Sequence, residues 1–472
     1  MWLINTSTLA LSEHNEPAPP YAILSHTWQS SQEVTFKEFL APIEDTKAKS
    51  GYKKIEACAM LANADALDYL WVDTCCIDKT SSAEISEAVN SMFEWYRNSA
   101  KCYAYMSDVS SLTTSDEQFE REFKESRWHT RGWTLQELIA PREVDFYDKD
   151  WVEICGRNEN TELLSYITGI PEDALDGGDL GIYSVAEKMS WAAQRVTTRP
   201  EDRAYCLLGL FDVSMPLLYG EGRERAFNRL QQHVIESVDD QTVLAWDPTS
   251  LGWPQGVDSI MGGDRISVLA PEPACFRVHG GHKPIASDRI PYAYTMTNKG
   301  LSGVFFIRQV DRQNGTELYN AILECGENSH KRSTILLVKL SQTSNRFARI
   351  ATRMGEIDIR DVVLSTSSLV SNTFPLPKDD LPPPSSSSSS SSRQTRSPQL
   401  PAGAEKQIYH ARSIFIAHNN LYGAPRSAIV GREPRERRRV GGQGDLAIVR
   451  PSALGRRETS LRRVERRPFY MI

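Results

Sequence analysis

The chain has 472 residues, of which 40% are hydrophobic and 24% charged, and its formal net charge at pH 7 is -7. This length exceeds what one ordinary hydrophobic core organises, so two or three domains are expected in a soluble globular protein. The negative net charge does not indicate a nucleic-acid-binding protein. No apolar run reaches the roughly 18 residues that predict a membrane span.

The amino terminus and the cysteines favour a cytoplasmic protein. The first residues, M-W-L-I-N-T-S-T-L, lack the basic region and the long apolar stretch of a signal peptide. Eight cysteines occur without a C-x-x-C pair or a zinc-like Cys/His spacing. We therefore expect reduced thiols that pack as small apolar side chains, and no metal site.

Apolar runs and amphipathic stretches alternate through the first 150 residues. Strands are predicted at 21–24, 70–77, 101–109 and 143–147, and helices at 52–69, from a capping box at 81–84, and at 133–139. This alternation predicts an α/β fold: a mainly parallel, flavodoxin-like sheet flanked by helices, with 21–24 and 70–72 as adjacent inner strands. In such sheets the ligand crevice lies beyond the carboxyl ends of the strands.

The remaining chain divides by composition. We predict an α/β domain at 1–158, a helical extension at 159–240, a smaller β-rich domain at 241–374, a Pro/Ser-rich linker at 375–402, and an Arg-rich, mostly disordered tail at 403–472. Short β-type runs predict strands in the β-rich domain at 242–246, 265–269, 292–296, 301–308, 318–324, 334–340 and 358–365.

Three blocks join apolar segments to polar and aromatic residues. They read Y-A-I-L-S-H-T-W at 21–28, L-W-V-D-T-C-C-I-D-K at 70–79 and S-R-W-H-T-R-G-W-T-L-Q-E-L-I-A-P at 126–141. Together they resemble the three signature motifs of the fungal heterokaryon incompatibility (HET) domain, and the resemblance extends over about residues 1–240. It implies a cytosolic protein of self/non-self recognition and programmed cell death, a form of fungal innate immunity. The partners it implies are further copies of the chain or other incompatibility proteins.

The segment W-T-L-Q-E-L at 133–138 is also similar to the W-C-L-x-E-L motif of Toll/interleukin-receptor (TIR) domains. In TIR domains that cleave NAD, the matching glutamate is catalytic. The resemblance therefore implies that Glu137 is catalytic in a TIR-like NAD glycohydrolase, with NAD as a substrate and no bound cofactor. The alternative is a structural glutamate stabilised by the helix dipole.

The other candidate residues surround the same predicted crevice. Ser25, His26 and Trp28 follow the first strand and are predicted to line a ribose and phosphate site, with Trp28 stacking on a base. The alternative is that His26 and Trp28 only complete packing at a strand end.

Residues from the second and third blocks complete the predicted site. Asp73 follows an apolar run and needs a partner if buried, for which Arg131 or Ser25 is the candidate. Arg131 is predicted to meet a phosphate, and Trp133 to desolvate the catalytic carboxyl together with Trp128. As alternatives, Asp73 has only a structural role, and Arg131 and His129 are solvated loop residues.

Two classes of function stay open from the sequence. One is the NAD-cleaving enzyme, and the other is a non-enzymatic death-signalling adaptor that self-assembles and recruits partners. An enzyme needs Glu137, Ser25 and a tryptophan in one cleft, whereas an adaptor buries the carboxyl in a salt bridge and exposes an apolar patch. Acidic residues within the Arg-rich tail and its scarcity of aromatics argue against a nucleic-acid partner.

Overall fold

The computed structural model describes residues 1–15, 17–111, 116–251, 265–278, 281–285, 293–313, 316–365 and 407–418, which form two compact units. The first unit is Met1–Val238 with the described part of Ala270–Gly280, and the second comprises the described parts of Asp239–Leu269 and Gly281–Tyr422. The predicted linker at 375–402 and the Arg-rich run beyond 431 lie outside the described residues. None of the helices described is long and apolar enough to cross a bilayer.

A seven-stranded sheet organises the first unit. Its strand order is β2-β1-β4-β3-β5-β6-β7. The four central strands, β4, β3, β5 and β6, are parallel, and the outer strands are antiparallel to their neighbours. The strands are β1 (Trp2–Asn5), β2 (Leu11–Glu13), β3 (Ala22–His26), β4 (Tyr69–Trp71), β5 (Lys101–Tyr105), β6 (Val144–Tyr147) and β7 (Glu153–Gly156).

The predicted parallel pairing of the first two apolar runs is confirmed. Ala22 lies opposite Leu70, and Ile23 lies opposite Trp71, in parallel register. All five residues of β3 are buried, because helices cover both faces of a central parallel strand. The unit is therefore a mixed α/β domain with a mainly parallel sheet, as predicted.

Twelve α-helices are described, all in the first unit. Helix α3 buries Ile55, Cys58 and Ala62 at three-to-four spacing. Two helices begin at serine caps: the Ser81 side chain accepts from Glu84 N, and Ser184 forms a full capping box with Glu187. The helices are α1 (Phe36–Leu40), α2 (Glu44–Ala48), α3 (Ser50–Ala64), α4 (Ser82–Asn98), α5 (Asp116–Glu125), α6 (Arg127–Thr130), α7 (Thr134–Ile139), α8 (Thr161–Thr168), α9 (Glu172–Leu175), α10 (Val185–Trp191), α11 (Asp202–Tyr205) and α12 (Arg223–Ser237).

Three predicted elements are shorter than expected. The strand predicted at 70–77 ends at Trp71, because the Val72 carbonyl accepts the amides of Cys75 and Cys76 and turns the chain. The helix predicted at 52–69 ends at Ala64, since Ala66 has a left-handed φ of 59°. The strand predicted at 101–109 ends at Tyr105. The strands β1, β2 and β7 are not predicted, because each has only three or four residues; β2 and β7 form the edges of the sheet.

The second unit is a β-rich domain, as predicted, whose nine-stranded sheet closes on itself. Strand β11 pairs with β12 and also with β18, and most neighbours are antiparallel, while β18 is parallel to β15 and β17. Its strands are β8 (Arg265–Ile266), β10 (Thr295–Thr297), β11 (Gly300–Gln313), β12 (Thr316–Ile322), β14 (Lys331–Lys339), β15 (Arg346–Ile350), β16 (Gly355–Asp358), β17 (Val362–Ser365) and β18 (Gln407–Ile416); β9 (Lys283–Pro284) and β13 (Cys325–Gly326) pair separately.

One local prediction in this unit is wrong. The strand predicted at 242–246 is a 3₁₀ helix at Gln241–Leu244, whose start is capped by Asp240. The strand β18 is an ordered part of the region predicted at 403–472 as mostly disordered, and residues 403–406 and 419–472 of that region lie outside the described residues. The strand is ordered because Ala411, Ile414 and Ile416 are buried where it pairs with β11.

Candidate functional site

A cavity of about 220 Å3 lies in the first unit beyond the carboxyl ends of β3 and β4. Its apolar side comes largely from α4 and includes Ala88, Val89 and Met92. Its polar lining comes from the ends of β3 and β4, from α7, and from the segment around residues 198–219. This is the position that a parallel sheet predicts for a ligand crevice.

Glu137 faces this cavity from α7. Its side chain is buried, and its Oε2 accepts a hydrogen bond of 2.5 Å from Ser25 Oγ. The indole Nε1 of Trp128 donates to the same Ser25 oxygen at 2.9 Å. The carboxyl is therefore oriented by a fixed chain of two buried donors.

Two buried arginines fix the helix that carries Glu137. Near its start, Arg195 Nη1 donates to the Arg131 carbonyl at 2.9 Å and to Thr134 Oγ1 at 3.0 Å. At its end, Arg157 donates to the carbonyls of Leu138, Pro141 and Arg142 at 2.7–2.8 Å. Among these acceptors, the Leu138 carbonyl belongs to the last turn of α7, where a helix leaves its carbonyls free.

Burial raises the pKa of Glu137 to about 8, and the nearby Asp73 carboxylate adds to the shift. The hydrogen bond from Ser25 and the charges of Arg131 and Arg195 act in the opposite direction but are outweighed. The free carboxyl is therefore mostly protonated at pH 7, and a cation that enters the cavity favours its ionised form.

Asp73 lies just after β4 and receives two neutral donors. His26 Nε2 lies 3.1 Å from its Oδ1, and Trp28 Nε1 donates to its Oδ2 at 3.0 Å. The prediction of Arg131 or Ser25 as its partner is therefore wrong. Adjacent residues of a strand point to opposite faces, so Ser25 reaches Glu137 whereas His26 reaches Asp73.

The contacts of Asp73 and His26 determine the charge state of each residue. Burial alone would raise the pKa of Asp73, but the His26 hydrogen bond and the Lys79 charge lower it to about 2. Burial and the Lys54 charge lower the pKa of His26 below its ordinary value. A neutral imidazole and an ionised carboxylate thus line the cavity beside Trp28, which is 44% exposed.

Three cationic side chains line the same cavity: Lys79, Arg131 and Arg199. Lys79 Nζ lies 3.7 Å from the ring centroid of Trp28, and Arg199 Cζ lies 4.3 Å from that of Tyr219. Arg131 donates to Thr198 Oγ1 at 3.0 Å. Arg131 is half-buried, and this bond to Thr198 holds one side of its guanidinium group.

A third carboxylate of the cavity, Asp202, was not predicted. Trp133 Nε1 donates to one of its oxygens at 3.2 Å, and the Tyr219 hydroxyl donates to the other at 3.1 Å. Burial raises its pKa, and these two hydrogen bonds oppose the shift. Asp202, Tyr219 and Arg199 come from the sequences R-P-E-D-R-A-Y and L-Y-G-E-G, whose charged and aromatic residues were the only signal for them.

The helical extension is joined to the site by backbone contacts. Gly132 N donates to the Val196 carbonyl at 2.8 Å, and Val196 N donates to the Thr130 carbonyl at 2.6 Å. A Cβ at Gly132 would lie 2.4 Å from a methyl of Thr197, so glycine permits this close approach. The pairing brings Arg199 and Asp202 to the cavity beside Arg131 and Trp133.

The structure thus brings the predicted residues together. His26, Trp28, Asp73, Arg131, Trp133 and Glu137 all line the cavity, and Ser25 is buried in contact with Glu137. His129 is not solvated, because it packs edge-on against Phe123 and Trp128. Across the part of the chain that the structure describes, no group of three or more His, Cys, Asp or Glu residues has a metal-binding arrangement.

Fold and site together define a mixed α/β domain with a ligand cavity at the carboxyl ends of its parallel strands. Residues 21–117 match the family model described as "Heterokaryon incompatibility protein (HET)". The matched part of the first unit is therefore a HET domain. Glu137, Arg199 and Asp202 lie beyond the matched segment.

The chain is also similar to the Vegetative incompatibility protein HET-E-1 of Podospora anserina. The two are 49% identical over 222 residues, which cover 46% of this chain and 16% of that protein. The chain thus spans a small part of the length of this relative. No solved structure matched the chain.

Proposed function

We propose that the first unit is a TIR-like NAD glycohydrolase that drives cell death in vegetative incompatibility. The observation that carries this proposal is the buried Glu137 carboxyl, which Ser25 holds against a cavity lined by Trp28 and Trp133. A carboxylate beside an aromatic-lined pocket suits a reaction that develops positive charge on a sugar.

In the proposed reaction the bond between the ribose anomeric carbon and the nicotinamide nitrogen breaks. Its electron pair goes to the nitrogen, which neutralises the pyridinium ring, and the ribose becomes oxocarbenium-like. Water then forms the new carbon–oxygen bond and releases a proton, which yields nicotinamide and ADP-ribose. The Glu137 carboxylate stabilises the sugar cation and accepts a hydrogen bond from a ribose hydroxyl.

The raised pKa of Glu137 fits a cationic substrate. An isolated carboxylate in this cavity is costly because it is desolvated. The positive nicotinamide ring provides the missing counter-charge, so its binding and the ionisation of Glu137 favour each other. Glu137 would therefore be ionised, and able to stabilise positive charge, mainly when the substrate is bound.

The size of the cavity indicates which part of NAD enters. At about 220 Å3 it is below the roughly 300 Å3 at which pockets for drug-sized ligands begin. It suits the nicotinamide and its ribose, with the remainder of the dinucleotide lying across the opening. Trp28 and Trp133 offer faces for the planar ring.

Expression in a fungal host tests the cellular part of the proposal. The full chain should lower cellular NAD and viability, whereas Glu137→Gln at equal abundance should do neither. Glu125→Gln is the matched control, because Glu125 is exposed and does not line the cavity. Killing by Glu137→Gln as efficient as that by the wild type would instead support the adaptor hypothesis, in which surface contacts with further copies or other incompatibility proteins transmit the death signal.

A further inference from the structure

We infer that Arg131, Arg199 and Lys79 form a diphosphate subsite at the opening of the cavity. This inference rests on the proposed function and extends it, because it assigns the phosphorylated half of the ligand to named residues. It predicts that the site selects nucleotides with phosphate groups over the corresponding nucleosides.

The first support is that Lys79, Arg131 and Arg199 form no ion pair within 4 Å with a carboxylate among the described residues. Elsewhere in the first unit, cations near carboxylates are paired: Lys54 with Glu33 at 2.8 Å, and Arg203 with Glu272 at 2.9 Å. Asp73, Glu137 and Asp202 of the cavity act on these cations electrostatically but do not pair with them directly, so the cations keep donors that favour an anionic ligand.

The second support is that the acidic residues of the cavity already have other donors. His26 and Trp28 donate to Asp73, and Trp133 and Tyr219 donate to Asp202. These donors are neutral indole, imidazole and hydroxyl groups, so they occupy the carboxylate oxygens without neutralising the arginines. The guanidinium groups therefore keep hydrogen-bond donors for a ligand.

The third support is that the cations are held in place. Thr198 accepts from one nitrogen of Arg131, and the Tyr219 ring supports the face of Arg199. Neither contact uses all five guanidinium N–H donors, which match the oxygen geometry of a phosphate group. Lys79, over the Trp28 ring, adds a compact point charge.

The different burial of the charged residues determines which end of the ligand points into the cavity. Glu137 is buried, whereas Lys79 and Arg199 are exposed. A cationic ring therefore lies inward against Glu137, and a diphosphate lies outward against the arginines. This polarity matches a dinucleotide in which a diphosphate joins a positive nicotinamide riboside to a second nucleoside.

Calorimetric titration of the full chain with inorganic pyrophosphate tests the subsite without turnover. Wild type should bind pyrophosphate, and the double variant Arg131→Gln, Arg199→Gln should weaken binding at least about tenfold, since two charge-assisted contacts are lost. The control is Arg225→Gln, because Arg225 is exposed on α12 and does not line the cavity. Arg199→Gln alone, at an exposed position, keeps the test valid if the double variant does not fold.

A second measurement compares substrates. Wild type should have a larger kcat/KM for NAD than for nicotinamide riboside, and the arginine variants should lose most of this preference through KM. Wild type that does not bind pyrophosphate, or variants that bind it as wild type does, would overturn the subsite. Binding that depends on the arginines in a protein that never cleaves NAD would leave the subsite standing and reject the proposed function.

Discussion

The two ends of the parallel sheet in the first unit carry charged residues in opposite arrangements. At the amino ends of the strands, Lys101 Nζ lies 2.8 Å from Asp145, 3.0 Å from Asp65 and 3.7 Å from Glu143. Burial alone would lower the pKa of Lys101, but Asp145 and Asp65 outweigh it and raise that pKa. At the carboxyl ends, Glu137 accepts a hydrogen bond from the Ser25 hydroxyl, and Arg131 and Arg199 form no direct ion pair with a carboxylate among the described residues.

This difference separates charges that stabilise the fold from charges kept for a ligand. A paired cluster is satisfied in the free protein and has little reason to bind anything further. At the carboxyl ends, ionising the buried Glu137 is costly in the free protein, and the arginines keep hydrogen-bond donors, so both gain partners when a ligand of suitable charge enters. Changes at the two ends should therefore have different effects.

The largest expected effect comes from Glu137→Gln at the carboxyl ends. It should reduce kcat for NAD cleavage by about 100-fold or more, because a neutral amide cannot stabilise the developing sugar cation. Chromatography of released nicotinamide from purified full chain measures it, and Glu125→Gln should behave as wild type. Activity of the Glu137→Gln variant within a few-fold of wild type would remove Glu137 from the reaction.

The same substitution should change how stability depends on pH. The pKa of Glu137 rises from 4.5 to about 8 on folding, so the folded state binds the proton more tightly. The protonated Glu137 side chain therefore contributes to the free energy of unfolding at low pH. This contribution is lost as the pH rises from about 4.5 to 8, by up to roughly 1.4 kcal/mol per pH unit. Thermal unfolding should show Glu137→Gln gaining stability relative to wild type over this range; a constant difference would contradict the raised pKa.

The pH dependence of activity gives a further test of the unpaired carboxyl. Since kcat/KM reports the ionisation of the free enzyme, it should rise about tenfold per pH unit below an inflection near pH 8 and level off above it. Initial rates at low NAD concentration across this range measure the inflection. A flat profile would mean that the reaction does not need the carboxylate.

At the amino ends, Lys101→Met should reduce stability and leave chemistry unchanged. It leaves three carboxylates without their shared cation, and a partly exposed cluster of this kind is worth about 1–3 kcal/mol. Urea unfolding measures the loss, with Lys53→Met as the control because Lys53 is exposed on α3. Reduced NAD cleavage per folded molecule in Lys101→Met would contradict the separation of the two ends.

The smallest predicted effect comes from Ser25→Ala, which removes the hydroxyl that favours the ionised form of Glu137. A hydrogen bond worth about 1 kcal/mol corresponds to about 0.7 pH unit. The inflection of kcat/KM should therefore move to higher pH by about this amount. A shift of the inflection to lower pH would show that the Ser25 hydroxyl does not favour the ionised form of Glu137.

The sequence predicted the parts of this molecule that depend on local pattern. Continuous apolar runs identified β3 and β4 as parallel inner strands, and the polar residues that follow them lie at the cavity. The lengths of the strands were less predictable. For example, β4 ends after Trp71 because the amides of Cys75 and Cys76 donate to the Val72 carbonyl, although the residues that follow are still apolar. The edge strands and β18 depend on pairing with distant strands, which a local pattern does not record.

The sequence predicted those site residues that stand in short motifs, but not the contacts between residues far apart in the chain. Glu137 and Ser25 stood in short motifs, but their direct hydrogen bond joins residues 112 positions apart. Asp202 and Tyr219 reach the cavity only because the segment at 196–202 pairs with 130–132 through backbone contacts. Long-range pairing of this kind, at a glycine that permits close approach, leaves almost no signal in a single sequence.

Release of nicotinamide from NAD by the purified, folded full chain at about pH 9 decides whether the first unit is an NAD glycohydrolase. At this pH the Glu137 carboxyl is mostly ionised even before substrate binds. We expect equal amounts of nicotinamide and ADP-ribose, formed in proportion to the protein concentration. A folded, soluble chain that binds NAD but releases no nicotinamide would contradict this expectation, and the cavity would then be a binding site without this chemistry.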